Sequence, residues 1–180
     1  MANSMKKIKL RMKSVQNTMQ ITKAMELVAS GKLRRARERV EHSRPYFETL
    51  YETLFSIASE DDEFASPYLE RRERRKRLYI VIAGDRGLAG GYNANLLRAV
   101  EADISGSEYC ILPIGRKAVE YFMRHGDDIV STDFVQAGDL SVSDCFEVSR
   151  FACQGFLRGD FDEIRIAFTR FVSMLAQTPV

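Results

Sequence analysis

A repeat of apolar residues near the amino terminus constrains the fold more than any other feature of this sequence. The residues of this repeat recur at alternating steps of four and three, which places them along one side of a long helix. No proline occurs before Pro45. The segment therefore predicts about ten unbroken turns, roughly 60 Å at 1.5 Å per residue, which project beyond a small domain. We call this row the main stripe: Ile8, Met12, Val15, Met19, Thr22, Glu26, Ala29, Leu33, Ala36 and Val40.

A second row of apolar or small residues follows the same segment. We expect it to lie beside the main stripe and to widen the contact surface. Three residues near the centre of the main stripe are small, Thr22, Ala29 and Ala36, which suits the close approach of a partner helix. Methionine is an adaptable contact residue, so packing against a second helix and sliding contact with a partner both stay open for Met12, Met19 and Met25. The second row comprises Leu10, Ile21, Ala24, Val28 and Gly31.

Charge is distributed unevenly along the chain. Residues 1–44 hold twelve Lys or Arg and three Asp or Glu, a net charge of +9, whereas the remaining residues carry −7 within a total of +2. A basic helix joined to an acidic body indicates a negatively charged partner along the helix. Because no aromatic residue lies between Lys6 and Arg44, the pattern favours a protein partner over a nucleic acid.

Several classes of protein and site are disfavoured. No apolar run is long enough to cross a bilayer, and the basic first ten residues are not followed by a signal region. Cys110, Cys145 and Cys153 are an odd set without CxxC spacing, which favours free and mostly buried thiols over a bridge or a metal site. The two histidines, His42 and His125, have no ligand-type neighbours at metal-binding spacing, so we expect neither metal nor cofactor.

The pattern predicts three regions. Residues 1–58 form the long basic helix, half of a coiled coil, with a kink or restart at Pro45. Residues 59–77 are rich in charge and predict a solvated connector. Residues 78–180 predict an α/β domain with a Rossmann-like, mostly parallel sheet, because strands alternate with helices.

The sequence predicts three strands in this domain. The predicted sheet looks incomplete, as it would in a truncated chain. The predicted strands are 78–83, 109–114 and 164–169, and Pro113 marks the end of the second strand or an edge of the sheet. A helix carries Leu96, Leu97, Val100 and Ile104 on one side. Ser141 and Asp144 form a capping-box pattern at the start of the last helix.

A glycine-rich turn, Gly84 to Asn93, follows the first predicted strand. Such turns hold phosphate in doubly wound folds, but this one lacks both G-x-G-x-x-G and Gly-Lys-Ser/Thr. Asp85 and Arg86 would more readily bond each other or a neighbouring chain. The turn is therefore interpreted as a conformational or interface loop, and we expect no useful affinity for ATP.

Seven short stretches of this sequence carry a resemblance to a known family: residues 8–15, 20–25, 32–36, 85–95, 114–117, 171–173 and 177–179. Together they resemble the gamma subunit of rotary, F-type ATP synthases, in order along essentially all of the chain. The first three stretches resemble the first helix of that family, and 85–95 looks like its most recognisable loop. Residues 114–117 match the stretch after its second strand, and the last two stretches are similar to its later strand region. The family's carboxy-terminal helix would follow Val180, so the resemblance also implies that this chain lacks that helix.

The resemblance implies a rotor shaft that is not itself catalytic, because catalysis in the family belongs to the beta subunits. The implied partners are the alpha and beta subunits, the epsilon subunit and the ring of c subunits. The implied location is the cytoplasmic face of the cell membrane, as a peripheral subunit that couples proton-driven rotation to ATP synthesis. The residues assigned to partner contacts by this resemblance are Ile8, Met12, Val15, Met19, Lys23, Met25, Lys32, Arg34, Arg35, Asp85 and Arg86.

Other functions stay open at the level of sequence. The chain would be a non-coupling paralogue or a fragment if its truncation abolishes shaft function. The basic helix would also serve a coiled-coil protein that binds nucleic acid. A small nucleotide-dependent enzyme would require the turn at Gly84 to Asn93 to bind phosphate, and a nucleotide titration separates it from a rotor subunit.

Overall fold

A computed structural model describes residues 2–60, 66–68, 72–73, 75–173 and 176–180, with backbone alone at 2–4 and 60. The chain divides into two compact units, Met1–Ala65 and Ser66–Val180. The described residues of the first unit are helical, and those of the second form an α/β body. Residues 61–65, 69–71 and 74 of the predicted connector lie outside the described residues.

The described residues of the first unit form one helix, α1, which spans Ala2–Glu60. Its continuity through Ile21 to Leu33 confirms the long helix predicted from the main stripe. The predicted restart at Pro45 is wrong, because the helix continues through that residue. Proline lacks an N–H, so one backbone bond is missing there, but regular helical turns on both sides keep the helix intact.

The second apolar row does not lie beside the main stripe. In an α-helix each residue turns the direction of the side chain by about 100°, so Leu10 points roughly 200° away from Ile8. Ile21 and Val28 likewise lie two positions after a residue of the main stripe. The side chains of Leu10, Ile21 and Val28 are all exposed. Helix α1 therefore presents apolar rows on two opposite sides, which corrects the expectation of one broad surface.

The body contains a four-stranded sheet with the order β2-β1-β3-β4. Strand β1 (Lys76–Ile82) is central and pairs in parallel with β2 (Glu108–Ile114) and β3 (Glu163–Phe171). This arrangement confirms the mostly parallel α/β fold. Pro113 lies in β2 at the outer position of the sheet order, where a missing N–H is tolerated.

The fourth strand was not among the three predicted. Strand β4 (Gln177–Pro179) runs antiparallel to β3, with Thr169 opposite Pro179. It has three residues and a terminal proline, so it shows no alternating apolar pattern. Its position is set by the pairing with β3, which the sequence alone does not reveal.

Helices cover both faces of the central strands. Helix α2 (Tyr92–Ile104) and helix α3 (Arg116–His125) pack on the face of Tyr79 and Val81, whereas α4 (Val142–Arg158) packs on the face of Leu78 and Ile80. The predicted apolar side of α2 is confirmed, because all four of its residues are buried. The predicted capping box of α4 is also present: the Ser141 hydroxyl and the Asp144 carboxylate each bond the other residue's backbone N–H.

A charged network joins α2 to the first and third strands. The Arg77 guanidinium contacts the Glu163 carboxylate at 3.0 Å, and the Tyr79 hydroxyl donates to Asp103 at 2.6 Å. Arg165 lies 2.6 Å from the same Asp103 carboxylate. The Tyr79 hydrogen bond, with Arg165 nearby, holds the pKa of Asp103 below its usual range. The network fixes the register of β1 against β3 at the amino end of the sheet.

Two described residues of the connector, Tyr68 and Arg72, pack against the body. The Tyr68 ring stacks on Phe156 of α4 with centroids 6.1 Å apart, and the Arg72 guanidinium lies 4.4 Å from the same ring. Arg72 also donates to the Phe156 carbonyl. Such ring contacts compensate for the ordering of a polar segment. The expectation that the connector is wholly solvated is therefore wrong for these two residues.

The cysteines are less buried than expected. All three thiols are free, with Cys110 buried, Cys153 partly buried and Cys145 exposed. The predicted absence of a bridge is consistent with this arrangement. The prediction of mostly buried thiols is wrong, because Cys145 lies in the first turns of α4, where that helix is open to solvent.

Candidate interface site

The large residues of the main stripe form an exposed apolar surface. Ile8, Met12, Val15 and Met19 expose 50%, 58%, 61% and 64% of their surface. The first three line a shallow depression on the helix together with Arg11 and Gln16. Large apolar side chains in such a row are typical of a helix that binds another surface.

Thr22, near the centre of the main stripe, has its hydroxyl hydrogen-bonded within the helix. The Thr22 hydroxyl donates to the Thr18 carbonyl at 2.9 Å, and the Thr18 hydroxyl donates to Ser14 at 3.0 Å. Because its hydroxyl is satisfied within the helix, Thr22 can face an apolar partner without a lost hydrogen bond.

The basic residues assigned to partner contacts differ in their local pairing. Arg34 lies 3.6 Å from Glu38, one turn along the same helix. Lys23, Lys32 and Arg35 are exposed and have no acidic partner among the described residues. Exposed pairs contribute about 0–1 kcal/mol, so Arg34 also stays available to an external carboxylate. The Met25 side chain is exposed beside this group.

An aromatic row near the carboxyl end of α1 was missed in the sequence analysis. Phe47, Tyr51 and Phe55 stack in succession, with ring centroids 6.5 Å and 6.4 Å apart. All three rings are exposed. Their spacing of four residues is the signal that could have revealed them, since such residues are neighbours on a helix.

The glycine-rich turn is fixed by Asp85, not by an Asp85–Arg86 pair. The Asp85 carboxylate accepts backbone N–H bonds from Ala137 at 2.9 Å, Gly138 at 3.0 Å and Arg116 at 3.2 Å. It thereby joins the turn after β1 to the start of α3 and to a single 3-10 turn (Ala137–Asp139). The expectation that Asp85 and Arg86 bond each other is wrong.

The tip of the turn presents an apolar side chain in an unusual conformation. Leu88 has φ 58° and is fully exposed. Positive φ is uncommon for a bulky residue, and strained residues of this kind cluster at functional sites. Asn93 supports the turn, since its side chain accepts from Gly84 N–H at 2.8 Å and donates to the Arg86 carbonyl at 3.3 Å. The exposed Arg86 guanidinium makes no ion pair within the described residues.

Comparison with known proteins agrees with this geometry. The model of a family described as ATP synthase matches residues 4–180. The chain belongs to this ATP synthase family. It is 43% identical to the ATP synthase gamma chain of Ruminococcus albus over 184 residues, which cover 99% of this chain and 64% of the relative.

Two further similarities support the same family. The sodium ion specific ATP synthase gamma chain of Acetobacterium woodii is 40% identical over 179 residues, 98% of this chain and 59% of the relative. This chain thus spans less than two thirds of these curated relatives. A chain of the Tetrahymena thermophila mitochondrial ATP synthase central stalk and c-ring matches with TM-score 0.59 and 19% identity, covering 89% and 70% of the two chains. That match supports the fold.

The family match and the identity to ATP synthase gamma chains confirm the resemblance that the sequence predicted. The residues assigned to partner contacts fall into two places, the exposed side chains of α1 and the turn at Asp85 and Arg86. Among the described residues no cluster of three or more potential metal ligands occurs. Within the same described part of the chain, no helix has the length and apolar character needed to cross a membrane.

Asp85 offers a test of how this ATP synthase turn is held. Burial opposes ionisation of Asp85, but three backbone N–H donors outweigh it and hold the pKa below its ordinary 3.8. We expect Asp85→Asn to destabilise the body by about 1.5–3 kcal/mol at neutral pH, since hydrogen bonds to a charged acceptor are lost. Urea unfolding of both proteins measures this difference.

The pH dependence of that difference follows from the sign of the shift. A lowered folded-state pKa stabilises the body above pH 3.8 and loses its effect as the pH falls through the folded-state value. The difference in unfolding free energy between wild type and Asp85→Asn should therefore disappear in acid. Asp133→Asn, which removes a carboxylate from an exposed residue bonded to Ser131, is the control. A gap that stays constant to low pH would contradict this account.

Proposed function

We propose that this chain acts as the central-stalk, rotor-shaft subunit of an F-type ATP synthase, with α1 turning inside a ring of alpha and beta subunits. The observation that carries the proposal is the surface of α1, a 59-residue helix with exposed apolar rows on opposite sides. A helix apolar on two sides requires two neighbours. One row fits a partner helix in a coiled coil, and the other fits the inner surface of the ring.

Charge supports an acidic partner along α1. Lys23, Lys32 and Arg35 project from the helix without acidic partners among the described residues. Desolvated cations require compensating charges. We assign these three residues, with Arg34, to carboxylates presented by the beta subunits, and the methionines Met12, Met19 and Met25 to the adaptable contacts that relative motion requires.

The turn after β1 is assigned to a second contact with partner subunits. Asp85 holds the turn in place through its three N–H bonds, so its role is positioning. Arg86 and the exposed Leu88 are the groups that reach a partner. The turn lacks both phosphate-binding patterns, which agrees with a subunit whose complex performs ATP chemistry elsewhere, on the beta subunits.

We extend the proposal by analogy with the family. The body contacts the epsilon subunit and the c-ring, and the chain is a peripheral component at the cytoplasmic face of the cell membrane. It couples proton-driven rotation to ATP synthesis. No nucleic acid, metal or cofactor is assigned, and the chain itself is not catalytic.

A binding experiment tests the shaft function. The wild-type chain should bind a purified alpha/beta ring at one copy per ring, with affinity that falls as salt is raised. A variant with Lys23→Ala, Lys32→Ala and Arg35→Ala should bind about tenfold or more weakly and show less salt dependence. Surface plasmon resonance at several salt concentrations measures both effects.

The matched control removes the same number of cations from the body. Arg98→Ala, Arg124→Ala and Arg150→Ala alter exposed residues on α2, α3 and α4, and this variant should bind the ring like wild type. An equal loss of affinity in both variants would show that binding to the ring depends on net charge alone. Failure of the wild-type chain to bind the ring would overturn the proposed function.

A further inference from the structure

The aromatic row near the carboxyl end of α1, Phe47, Tyr51 and Phe55, is a surface that the proposed function does not use. All three side chains are exposed. Their ring planes are nearly parallel, inclined by 23° between the first two rings and by 18° between the last two. With centroids 6.5 Å and 6.4 Å apart, the row contains two similar gaps, one between each pair of neighbouring rings.

The body of this chain contains the same ring geometry in contact with an arginine. The rings of Tyr68 and Phe156 lie 6.1 Å apart at 25°, and the Arg72 guanidinium lies 4.4 Å from the centroid of the Phe156 ring. A guanidinium is flat and weakly hydrated, so it stacks on aromatic faces better than an ammonium group does. Among the residues that the structure describes, no cation lies over the rings of the aromatic row. The row therefore has a ring geometry suited to an arginine supplied by another protein.

Two carboxylates flank the gaps in the aromatic row. Glu48 lies one position after Phe47 and three before Tyr51, so it borders the first gap. Glu52 borders the second gap in the same way, since it follows Tyr51 and lies three positions before Phe55. Both glutamates are exposed, and neither forms an ion pair with a residue that the structure describes. Because a cation–π contact reaches about 6 Å from a ring centroid, a guanidinium over either gap can contact two rings and a carboxylate together.

The charge of α1 changes sign where the aromatic row begins. Residues 45–60 contain three Glu and no Asp, Lys or Arg, a net charge of −3, whereas residues 1–44 carry +9. The amino-terminal part of α1 therefore attracts acidic groups, and the part with the aromatic row attracts cations. This reversal favours a cationic partner for the row.

The aromatic row is distinct from the leucines beside it. Leu50 and Leu54 precede Tyr51 and Phe55 by one position each, so each leucine points about 100° away from the ring that follows it. The glutamates lie on the other side of the row, since they follow ring residues by one position. A helix packed on the leucines therefore leaves the rings of Tyr51 and Phe55 accessible.

We infer that the aromatic row and its two glutamates bind arginine side chains of a partner protein segment, one arginine in each gap. The gaps repeat after about one helical turn. A partner helix with arginines four residues apart matches this repeat, since four residues rise about 6 Å. This contact is additional to the contacts with acidic groups proposed for Lys23, Lys32 and Arg35.

The binding of three matched peptides to the full chain tests this assignment. The probe is an alanine-based helical peptide with two arginines four residues apart, and its twins carry two lysines or two leucines at the same positions. The arginine peptide should shift the ring signals of Phe47, Tyr51 and Phe55 and bind at least about fivefold more tightly than either twin. An NMR titration of the chain labelled in its Phe and Tyr rings measures both effects.

Two sets of variants connect the binding to the aromatic row. Tyr51→Leu removes the ring shared by both gaps and should weaken binding of the arginine peptide about fivefold, whereas Tyr51→Phe should bind it like wild type. Glu48→Gln combined with Glu52→Gln should weaken binding by a similar factor, because charge-assisted contacts are lost. The control combines Glu108→Gln with Glu147→Gln, which removes two exposed carboxylates from the body and should leave binding unchanged.

Three results would overturn the assignment. Equal binding of the lysine peptide would show that the rings do not select a guanidinium. Equal binding of the leucine peptide would show that the row packs against an apolar segment or a second copy of this chain. Absence of ring shifts with the arginine peptide would show that the row binds no arginine. None of these results affects the shaft function, which is judged by binding to the alpha/beta ring.

Discussion

A Gly115→Ala variant should lose about 3–5 kcal/mol of stability, a large part of what holds a small body folded. Gly115 has φ 92°, a conformation that L side chains rarely adopt. A Cβ atom at this position would lie 2.2 Å from the Ala83 carbonyl oxygen. Both atoms of that clash belong to or adjoin the backbone, so no side-chain rotation relieves it.

The position of Gly115 explains the size of the effect. Its N–H donates to the Phe134 carbonyl at 2.9 Å, and Ala83 N–H donates to Ile114 at 2.9 Å. A shift at Gly115 would therefore disturb the ends of β1 and β2 together. The same shift would move the Arg116 N–H that bonds Asp85, so the turn at the candidate interface should loosen as well.

Gly126→Ala is the matched control for this prediction. Gly126 also has positive φ, at 77°, but a Cβ atom there would meet nothing within 4 Å. The control should lose only the conformational cost, about 1–2 kcal/mol. Urea unfolding monitored by circular dichroism compares the two variants. Equal losses would show that the close approach at Ala83 has no energetic consequence.

Local periodicity was enough to predict most of the architecture. The main stripe predicted α1, the continuous β-branched run predicted β1, and the spacing of four apolar residues predicted the buried side of α2. These features depend on the repeat of a single helix or strand. They can therefore be predicted from one sequence without knowledge of tertiary contacts.

Features that depend on distant residues were not predictable in the same way. The three residues of β4 are set by pairing with β3, and the contacts of Tyr68 and Arg72 with Phe156 join positions more than eighty residues apart. The error over the second row on α1 has another origin. Its residues lie two positions after residues of the main stripe, and at about 100° per residue this separation places them on the opposite side of the helix.

The residues of the candidate site also divide into those predictable from local sequence and those that depend on distant residues. Exposed residues of α1 followed from the stripe and from charge, since both are local properties. The role of Asp85 did not, because its three N–H donors come from residues 31 or more positions away. Its sequence neighbour Arg86 suggested an ion pair, but backbone donors arranged by the fold satisfy the carboxylate instead.

The isolated chain should self-associate through the main stripe, and more strongly at high salt. Fully burying a large apolar side chain contributes about 1.5–3 kcal/mol, an upper figure at a seam between two helices. Several such side chains are exposed on α1. The net charge of +9 in residues 1–44 opposes the approach of two copies. Salt screens this repulsion, since the Debye length falls from about 30 Å at 0.01 M to about 10 Å at 0.1 M.

Substitutions within one helical turn test which surface is responsible. Met19→Asp places a carboxylate on the main stripe and should shift the salt-induced association midpoint by at least about tenfold in concentration. Gln20→Asp makes the same change of charge about 100° around the helix and should leave association through the stripe nearly intact. Sedimentation velocity across a salt series measures both. A wild-type chain that stays monomeric at every salt concentration, or an equal response of the two variants, would refute the assignment of the main stripe as a binding surface.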